Sequence, residues 1–316
     1  MTELGKIIFP NLGGLEFNPP KGFMIGSFVV HFYGVMIGLG LLLAAIYGLK
    51  RAKQFGIKQD DIYDGILWIL PFAVICARLY YVWAEPERFD GFWDVLNIRQ
   101  GGLAIYGGVI GAAVGIALFS KYKKINMFAL LDLVALGFMI GQSVGRWGNF
   151  INREAFGSYC DNFLAMQIQQ SNLDSLTAGK DMKLLLENAV VIDGISYVQV
   201  HPTFFYESMW NAAGFVLLHF LSKKRQYDGQ IALGYMAWYG LGRALIEGLR
   251  MDSLYWGSFR ASQLLAAVTC LVAVVVLLLK MLKKQDRSKL YVNYVNKMDA
   301  AAAAAEQVIS ADRESE

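Results

Sequence analysis

The sequence predicts an all-α polytopic membrane protein with about seven transmembrane helices and a small mixed extracytoplasmic cap, its N-terminus outside and its C-terminus in the cytoplasm. Three observations predict it. Of 316 residues, 56% are hydrophobic and only 17% charged, where a soluble domain carries about 25% charge. The mean hydropathy is +0.39, and apolar runs recur, each close to the roughly 20 residues that cross a bilayer as a helix. Basic clusters alternate with connections that are poor in Lys and Arg or balanced by acids.

Residues 1–26 form an extracytoplasmic N-terminal segment. The spans follow at 27–49, 62–83, 103–119 and 127–145. The first is too long for a signal-peptide core and lacks a persuasive cleavage site, so it is retained. The third, "GGLAIYGGVIGAAVGIALF", is rich in small residues that allow close helix contact. Residues 146–203 form a polar loop and the cap, whose short alternating apolar stretches predict some strand and some helix. Spans at 204–222, 229–247 and 260–281 come next, and 285–316 is a cytoplasmic tail, alanine-rich and then charged, expected to be disordered and dispensable.

The orientation comes from the basic clusters. Lys50, Arg51, Lys53 and Lys58 follow span one; Lys121, Lys123 and Lys124 follow span three; Lys223, Lys224 and Arg225 follow span five; Lys280, Lys283, Lys284, Arg287 and Lys289 follow span seven. The positive-inside rule places all four in the cytoplasm, which agrees with the parity of seven spans.

On that topology the unusual polar residues collect on the outer side. His31 and Tyr33 open span one, and Arg78 lies in the outer half of span two. Tyr106 opens span three. "GRWGNFINREAFG", with Arg146, Asn149, Asn152, Glu154 and Gly157, follows span four. His201, Tyr206 and Glu207 open span five, and Arg243, Glu247 and Arg250 close span six on one helix face. Taken singly, each group also has a plain structural reading: a helix start for "HPTFFYE", an ion pair for Arg243 and Glu247, packing glycines around Tyr106. Asp132, toward the cytoplasmic end of span four, is expected to cap or pair helices.

Ionisable groups bordering spans are costly and mark functional sites. Guanidinium groups bind phosphate in a fork, and asparagines add neutral donors. Arg146 and Arg243 at an outer interface therefore suit an anionic lipid head group. No metal-ligand set, Ser/His/Asp order or glycine-rich nucleotide loop is present. No metal, cofactor or nucleic-acid partner is expected, and the three cysteines read as small buried hydrophobes.

At these residues the chain resembles the prolipoprotein diacylglyceryl transferase family over about residues 20–285. "HFYG" at 31–34, "CARLYY" at 76–81, "GGLAIYGG" at 101–108, "GRWGNFINREAFG" at 145–157, "HPTFFYE" at 201–207 and "YGLGRALIEGLRMDS" at 239–253 stand in the family's order. The resemblance implies transfer of an sn-1,2-diacylglyceryl group from phosphatidylglycerol to the lipobox cysteine of a prolipoprotein at the outer leaflet of the bacterial cytoplasmic membrane. It implies catalytic roles for Arg146, Arg243 and Tyr33, functional importance for Asn149, Glu154 and Gly157, and supporting roles for Glu247 and Arg250. With the outer-side polar residues Asn152, His31 and Arg78, these and Arg146 are the residues expected to bind substrate. Tyr106 departs from the pattern, because many relatives carry histidine there. A phenol is a weaker base than imidazole at neutral pH, so the thiol is activated by Tyr106 or by the arginine field. A lipid transporter or flippase, or another phospholipid head-group transferase, is the alternative.

Reporter fusions after Lys53, Lys124, Lys224 and Lys284 should read cytoplasmic, and fusions near Asp174 outside. An outside signal at Lys124 would overturn the seven-span topology.

Overall fold

The apolar runs fold as helices, and a computed structural model describes residues 4–26, 28–98, 101–173, 180–253, 255–256 and 259–314. Strands β1 (Ile7–Phe9), β2 (Leu15–Phe17), β3 (Gly22–Ile25) and β4 (Phe28–His31) come first. Helices α1 (Phe32–Arg51), α2 (Gln59–Ala84), α3 (Phe92–Leu96), α4 (Ile105–Lys123) and α5 (Met127–Asn152) follow. Next are β5 (Met166–Gln169), α6 (Lys180–Glu187), β6 (Val190–Ile192) and β7 (Ile195–Val200). The chain continues through α7 (Thr203–Ser222), α8 (Gln230–Glu247), β8 (Tyr255–Trp256), β9 (Phe259–Arg260), α9 (Ala261–Met281) and α10 (Tyr291–Glu314). Helices α1, α2, α4, α5 and α9 are long and apolar enough to cross a membrane. Helices α7 and α8 lie where the sequence predicts the fifth and sixth spans. This is a mostly helical, multi-pass membrane protein.

The chain forms two compact units. The first comprises Met1–Ala44, Leu136–Ser222 and Leu233–Lys284. Its soluble part is a five-stranded antiparallel sheet of order β2-β1-β5-β7-β6. The β6–β7 hairpin turns through Asp193 and Gly194, both at positive φ, as a two-residue loop with the right twist requires. Ile7, Ile168, Val198 and Val200 are buried under the sheet with Phe150 of α5 and Phe204 of α7. Phe150 and Phe204 have ring centroids 4.7 Å apart. The sheet is thereby packed onto the ends of the two helices that carry the central polar residues. The cap expected from 146–203 recruits the N-terminal strands as well, a pairing of short segments about 160 residues apart that no local pattern announces. Residues 174–179 of that expected cap lie outside the described residues.

Two boundaries differ from expectation. Residues 28–31 belong to a hairpin, with His31 opposite Gly22, so α1 begins at Phe32 rather than at 27. Helix α5 continues to Asn152, so Arg146, Asn149 and Asn152 stand on its last turns and not in a loop.

The second unit comprises Ala45–Ala135, Lys223–Ala232 and Gln285–Glu316. Gly107, Gly111 and Gly115 of α4 lie against α2. A Cβ at Gly107 would stand 2.4 Å from Tyr80 Cβ, and one at Gly111 2.5 Å from Cys76 Cβ. Any side chain there would force the helices apart. Asp132 is fully buried and caps the start of α8. Its Oδ2 accepts from the Gly229 amide at 2.9 Å, and its Oδ1 from Ile231 and Ala232 at 2.8 and 2.9 Å. A carboxylate at a helix N-terminus satisfies amides that have no partner within the helix.

The tail is helical where disorder is expected. Leu290 is buried, the Tyr291 amide donates to Asp228 at 2.8 Å, and Gly56 leaves room for the Val292 backbone. The described residues from Asp299 to Gln307 are exposed. Truncation after Asp299 should therefore leave membrane accumulation and activity intact. Truncation after Lys289 should lower accumulation, measured by quantitative blotting of membranes, because it removes the Leu290–Val292 anchor.

Candidate active site

The last turns of α5 can continue as helix because Gly145 and Gly148 clear a path for α1. A Cβ on Gly148 would sit 2.8 Å from the Tyr33 ring, and one on Gly145 3.2 Å from Ile37 Cδ1. The helix stops where Arg153 and then Ala155 take positive φ. Arg153 is held in that strained conformation by its own guanidinium. The group donates to the carbonyls of Gly5, Pro19 and Ile151 and to Asn18 Oδ1. Its Nη donors are spent on the N-terminal segment and on the chain reversal, while Nε is buried without a partner.

Three helix ends converge at one carboxylate. Glu207, in the second turn of α7, is 3% exposed. It pairs with the Arg146 guanidinium of α5. Arg243 of α8 reaches Glu207 Oε1 from Nη1 at 3.1 Å and Glu247 from Nη2 at 2.6 Å. Arg250, just beyond α8, reaches Glu207 Oε1 at 3.1 Å and grips Asp252 through Nε and Nη2 at 2.9 and 2.6 Å. Arg146, Arg243 and Arg250 are thus matched in charge by Glu207, Glu247 and Asp252. Around Arg250, burial works against the charged form, but the Asp252 hydrogen bond and the Asp252, Glu207 and Glu247 charges outweigh it and hold the guanidinium pKa above its ordinary value.

The three arginines are not equivalent. The Arg250 side chain is 9% exposed and enclosed by carboxylates, whereas those of Arg146 and Arg243 are 21% and 17% exposed. The contacts of Arg146 and Arg243 run through their Nη atoms, and each group retains N–H donors for an anion. Arg146 Nη1 also faces Asn149 Oδ1 at 3.4 Å, and Asn149 Nδ2 donates to Glu154 at 2.9 Å. That chain extends the site toward Tyr33, which packs on Gly148. Asn152 is half-buried on the last turn of the same helix.

Gly157 acts through its backbone. It bridges to Arg250 and donates to the His201 carbonyl at 3.0 Å, while the Ser158 amide donates to Leu249 at 2.8 Å. A Cβ at Gly157 would meet His201 Cβ at 2.7 Å and the Leu249 carbonyl at 2.9 Å. The position fixes Arg250 and leaves no room for a side chain. The His201 imidazole faces the Tyr206 hydroxyl at 3.3 Å, and burial lowers its pKa below the ordinary value. The Thr203 hydroxyl donates to the Ala155 carbonyl, so "HPTFFYE" ties the start of α7 to the chain reversal after α5.

Arg78 and Tyr106 belong to the second unit. Arg78 is buried, and its N–H groups donate to the carbonyls of Asp94, Val95, Asn97, Gly101 and Gly102 at 2.6 to 3.1 Å. A guanidinium has five N–H donors, so none is left for a lipid phosphate. Arg78 organises the connection between α2 and α4. Tyr106 stands in the first turn of α4 with its side chain partly exposed, and His31 is exposed at the end of β4.

Glu207 is the residue that motif reading undervalues. It reads as a first-turn acid at a helix start, yet it is the centre of the cluster. The available signal is that it is the one acidic side chain in the apolar helix Thr203–Ser222, where an isolated charge demands partners.

A family model described as prolipoprotein diacylglyceryl transferase matches residues 20–279. The chain is 38% identical over 277 residues to phosphatidylglycerol–prolipoprotein diacylglyceryl transferase 1 of Clostridium perfringens, covering 87% of this chain and 99% of that protein. It is 37% identical over 271 residues to the phosphatidylglycerol–prolipoprotein diacylglyceryl transferase of Listeria monocytogenes, covering 85% and 92%. It is 36% identical over 285 residues to that of Limosilactobacillus reuteri, covering 88% and 96%. The match takes in both arms of the arginine cluster and the glycines that let its helices close on one another, and the chain belongs to the prolipoprotein diacylglyceryl transferase family.

Proposed function

We propose that this chain transfers the sn-1,2-diacylglyceryl group of phosphatidylglycerol to the lipobox cysteine of a prolipoprotein, the first step of lipoprotein maturation. The observation that carries this reading is the pair of partly exposed guanidiniums, Arg146 and Arg243, held side by side on the buried Glu207 carboxylate. Such a pair is preorganised for one phosphate and costs no rearrangement when charge develops there. The relatives' names supply the two substrates.

In the proposed step the cysteine thiolate attacks C3 of the diacylglyceryl group. The S–C3 bond forms, the C3–O bond breaks, and its electron pair leaves on the phosphate oxygen of glycerol 1-phosphate. Arg146 and Arg243 clamp the phosphate and stabilise that departing charge. Arg250, Glu247 and Asp252 keep the two guanidiniums apart and oriented. Asn149, Asn152, Glu154, His31 and Tyr33 line the approach, and Tyr106 assists loss of the thiol proton. The enzyme spans the bacterial cytoplasmic membrane seven times with the arginine cluster at the outer leaflet, an orientation supported by the four basic clusters. Phosphatidylglycerol enters laterally from the bilayer.

Thin-layer analysis of lipid products, using membranes, phosphatidylglycerol and a lipobox peptide, tests the activity. Diacylglyceryl peptide and glycerol phosphate should appear together; peptide modification without glycerol phosphate release would overturn the reading. Arg146→Lys and Arg243→Lys keep charge but lose the fork and should each lose most turnover at normal membrane levels. Glu207→Gln leaves three guanidiniums without their shared anion. Unpairing a buried charge costs about 3–5 kcal/mol, so both accumulation and turnover should fall.

Tyr106→Phe separates proton transfer from packing. General acid–base help is typically worth about 10²–10⁴-fold. Tyr106→Phe should be impaired on that scale between pH 6 and 9, with Tyr106→His recovering part of the rate. A Phe variant within about twofold of wild type, well below the acid–base range, would leave the arginine field as the thiol's activator.

A further inference from the structure

One helical turn inward from the arginine cluster lies a second polar tier that the proposed chemistry leaves unused. Four residues from Arg146, Glu207 and Arg243, toward the middle of each helix, stand Gln142 of α5, Asn211 of α7 and Tyr239 of α8. Four residues are about one turn, roughly 5–6 Å along the axis. All three belong to the first unit.

The neighbours of this tier satisfy themselves. Ser143 and Ser208 exchange hydrogen bonds, Ser143 Oγ donating to the Ser208 carbonyl at 3.0 Å and Ser208 Oγ to the Ser143 carbonyl at 2.8 Å. Trp147 Nε1 donates to Ser208 Oγ at 3.2 Å. The Gln142 amide nitrogen donates to Tyr235, whose ring stacks on Tyr239 at 5.6 Å. One turn further in the contacts are apolar, with Met139 fully buried against Gly214.

Asn211 is the exception. It is 2% exposed, and among the described residues its carboxamide makes no hydrogen bond, with Oδ1 wholly shut from solvent. Gln142 Oε1 is buried and unpartnered too. Leaving such groups unpaired in a membrane interior is expensive, and leucine would fit an α7 seam at no such cost. A carboxamide rotates to present either N–H donors or its oxygen.

We propose that Asn211, supported by Gln142, recognises the ester-linked glycerol backbone of the lipid donor. The inference rests on the transferase reading above. With the phosphate held at Arg146 and Arg243, the sn-1 and sn-2 ester carbonyls of the same lipid fall about one turn deeper. Ester carbonyls accept hydrogen bonds and donate none, so the Asn211 N–H groups suit them, and a bridging water completes the amide oxygens. The tier makes the enzyme selective for diacyl over dialkyl lipids with the same head group.

The test compares dioleoyl phosphatidylglycerol with its dioleyl ether analogue, using the full chain in nanodiscs and a lipobox peptide. Losing a buried hydrogen-bond partner costs about tenfold or more, so wild type should favour the diester in kcat/KM by about that factor. In Asn211→Leu and Gln142→Met the preference should collapse toward unity. Equal use of both lipids by wild type overturns the proposal. So does a preference that survives in the variants while both rates fall, since that is the mark of packing alone. If neither variant accumulates, the wild-type ratio decides. Failure of wild type to use the diester lipid at all would instead overturn the transferase reading on which the proposal stands.

Discussion

A single buried carboxylate holds this site together. Three guanidiniums converge on Glu207 from α5, α8 and the turn after α8, and without it they would repel one another in a medium of low dielectric. Glu247 and Asp252 take up the remaining positive charge. The cluster's three guanidiniums are balanced by three carboxylates, yet two of the guanidiniums stay partly exposed. Neutrality makes burial affordable; the asymmetry of exposure leaves Arg146 and Arg243, rather than Arg250, with accessible donors.

Such a cluster needs stiff supports, because a guanidinium fork displaced by about an ångström loses much of its value. Two kinds of packing supply them. The five-stranded sheet buries its core on Phe150 and Phe204, fixing the ends of α5 and α7 within one hydrophobic cluster. Glycines allow close packing where any side chain would intrude: Gly148 under the Tyr33 ring, Gly157 between the segments that carry His201 and Leu249, and Gly242 under the Trp210 indole. Trp210 and Trp238 then lock α7 to α8 by donating to each other's carbonyls at 2.9 and 2.8 Å. The site is positioned by apolar contacts and closed by polar ones.

The arginines of this chain serve different ends under the same chemistry. Arg78 and Arg153 turn inward and give most of their donors to backbone carbonyls, ordering the connection between α2 and α4 and the N-terminal segment. Arg146 and Arg243 pair with carboxylates and keep donors in reserve. All four sit in motifs of similar appearance. Exposure and partner type separate the structural arginines from those suited to a phosphate.

The sequence by itself determined the class of protein, because crossing hydrocarbon demands long apolar runs whatever their partners are. It determined the near positions of the helices for the same reason, and its small residues in the third span pointed to close helix contact there. It pointed to Arg146, Arg243, Glu247 and Arg250, since charge bordering a span is too costly to be idle. Only the tertiary structure decided that Glu207 is the hub, that Arg78 has no donor to spare, and that Arg146 stands on a helix instead of a loop. Those outcomes depend on which atoms meet across segments far apart in the chain: Glu207 with Arg146, 61 positions away, or β1 with β5, paired through Ile8 and Gln167. A local pattern records the cost of burying a charge, while the identity of the partner that offsets it is a property of the folded chain.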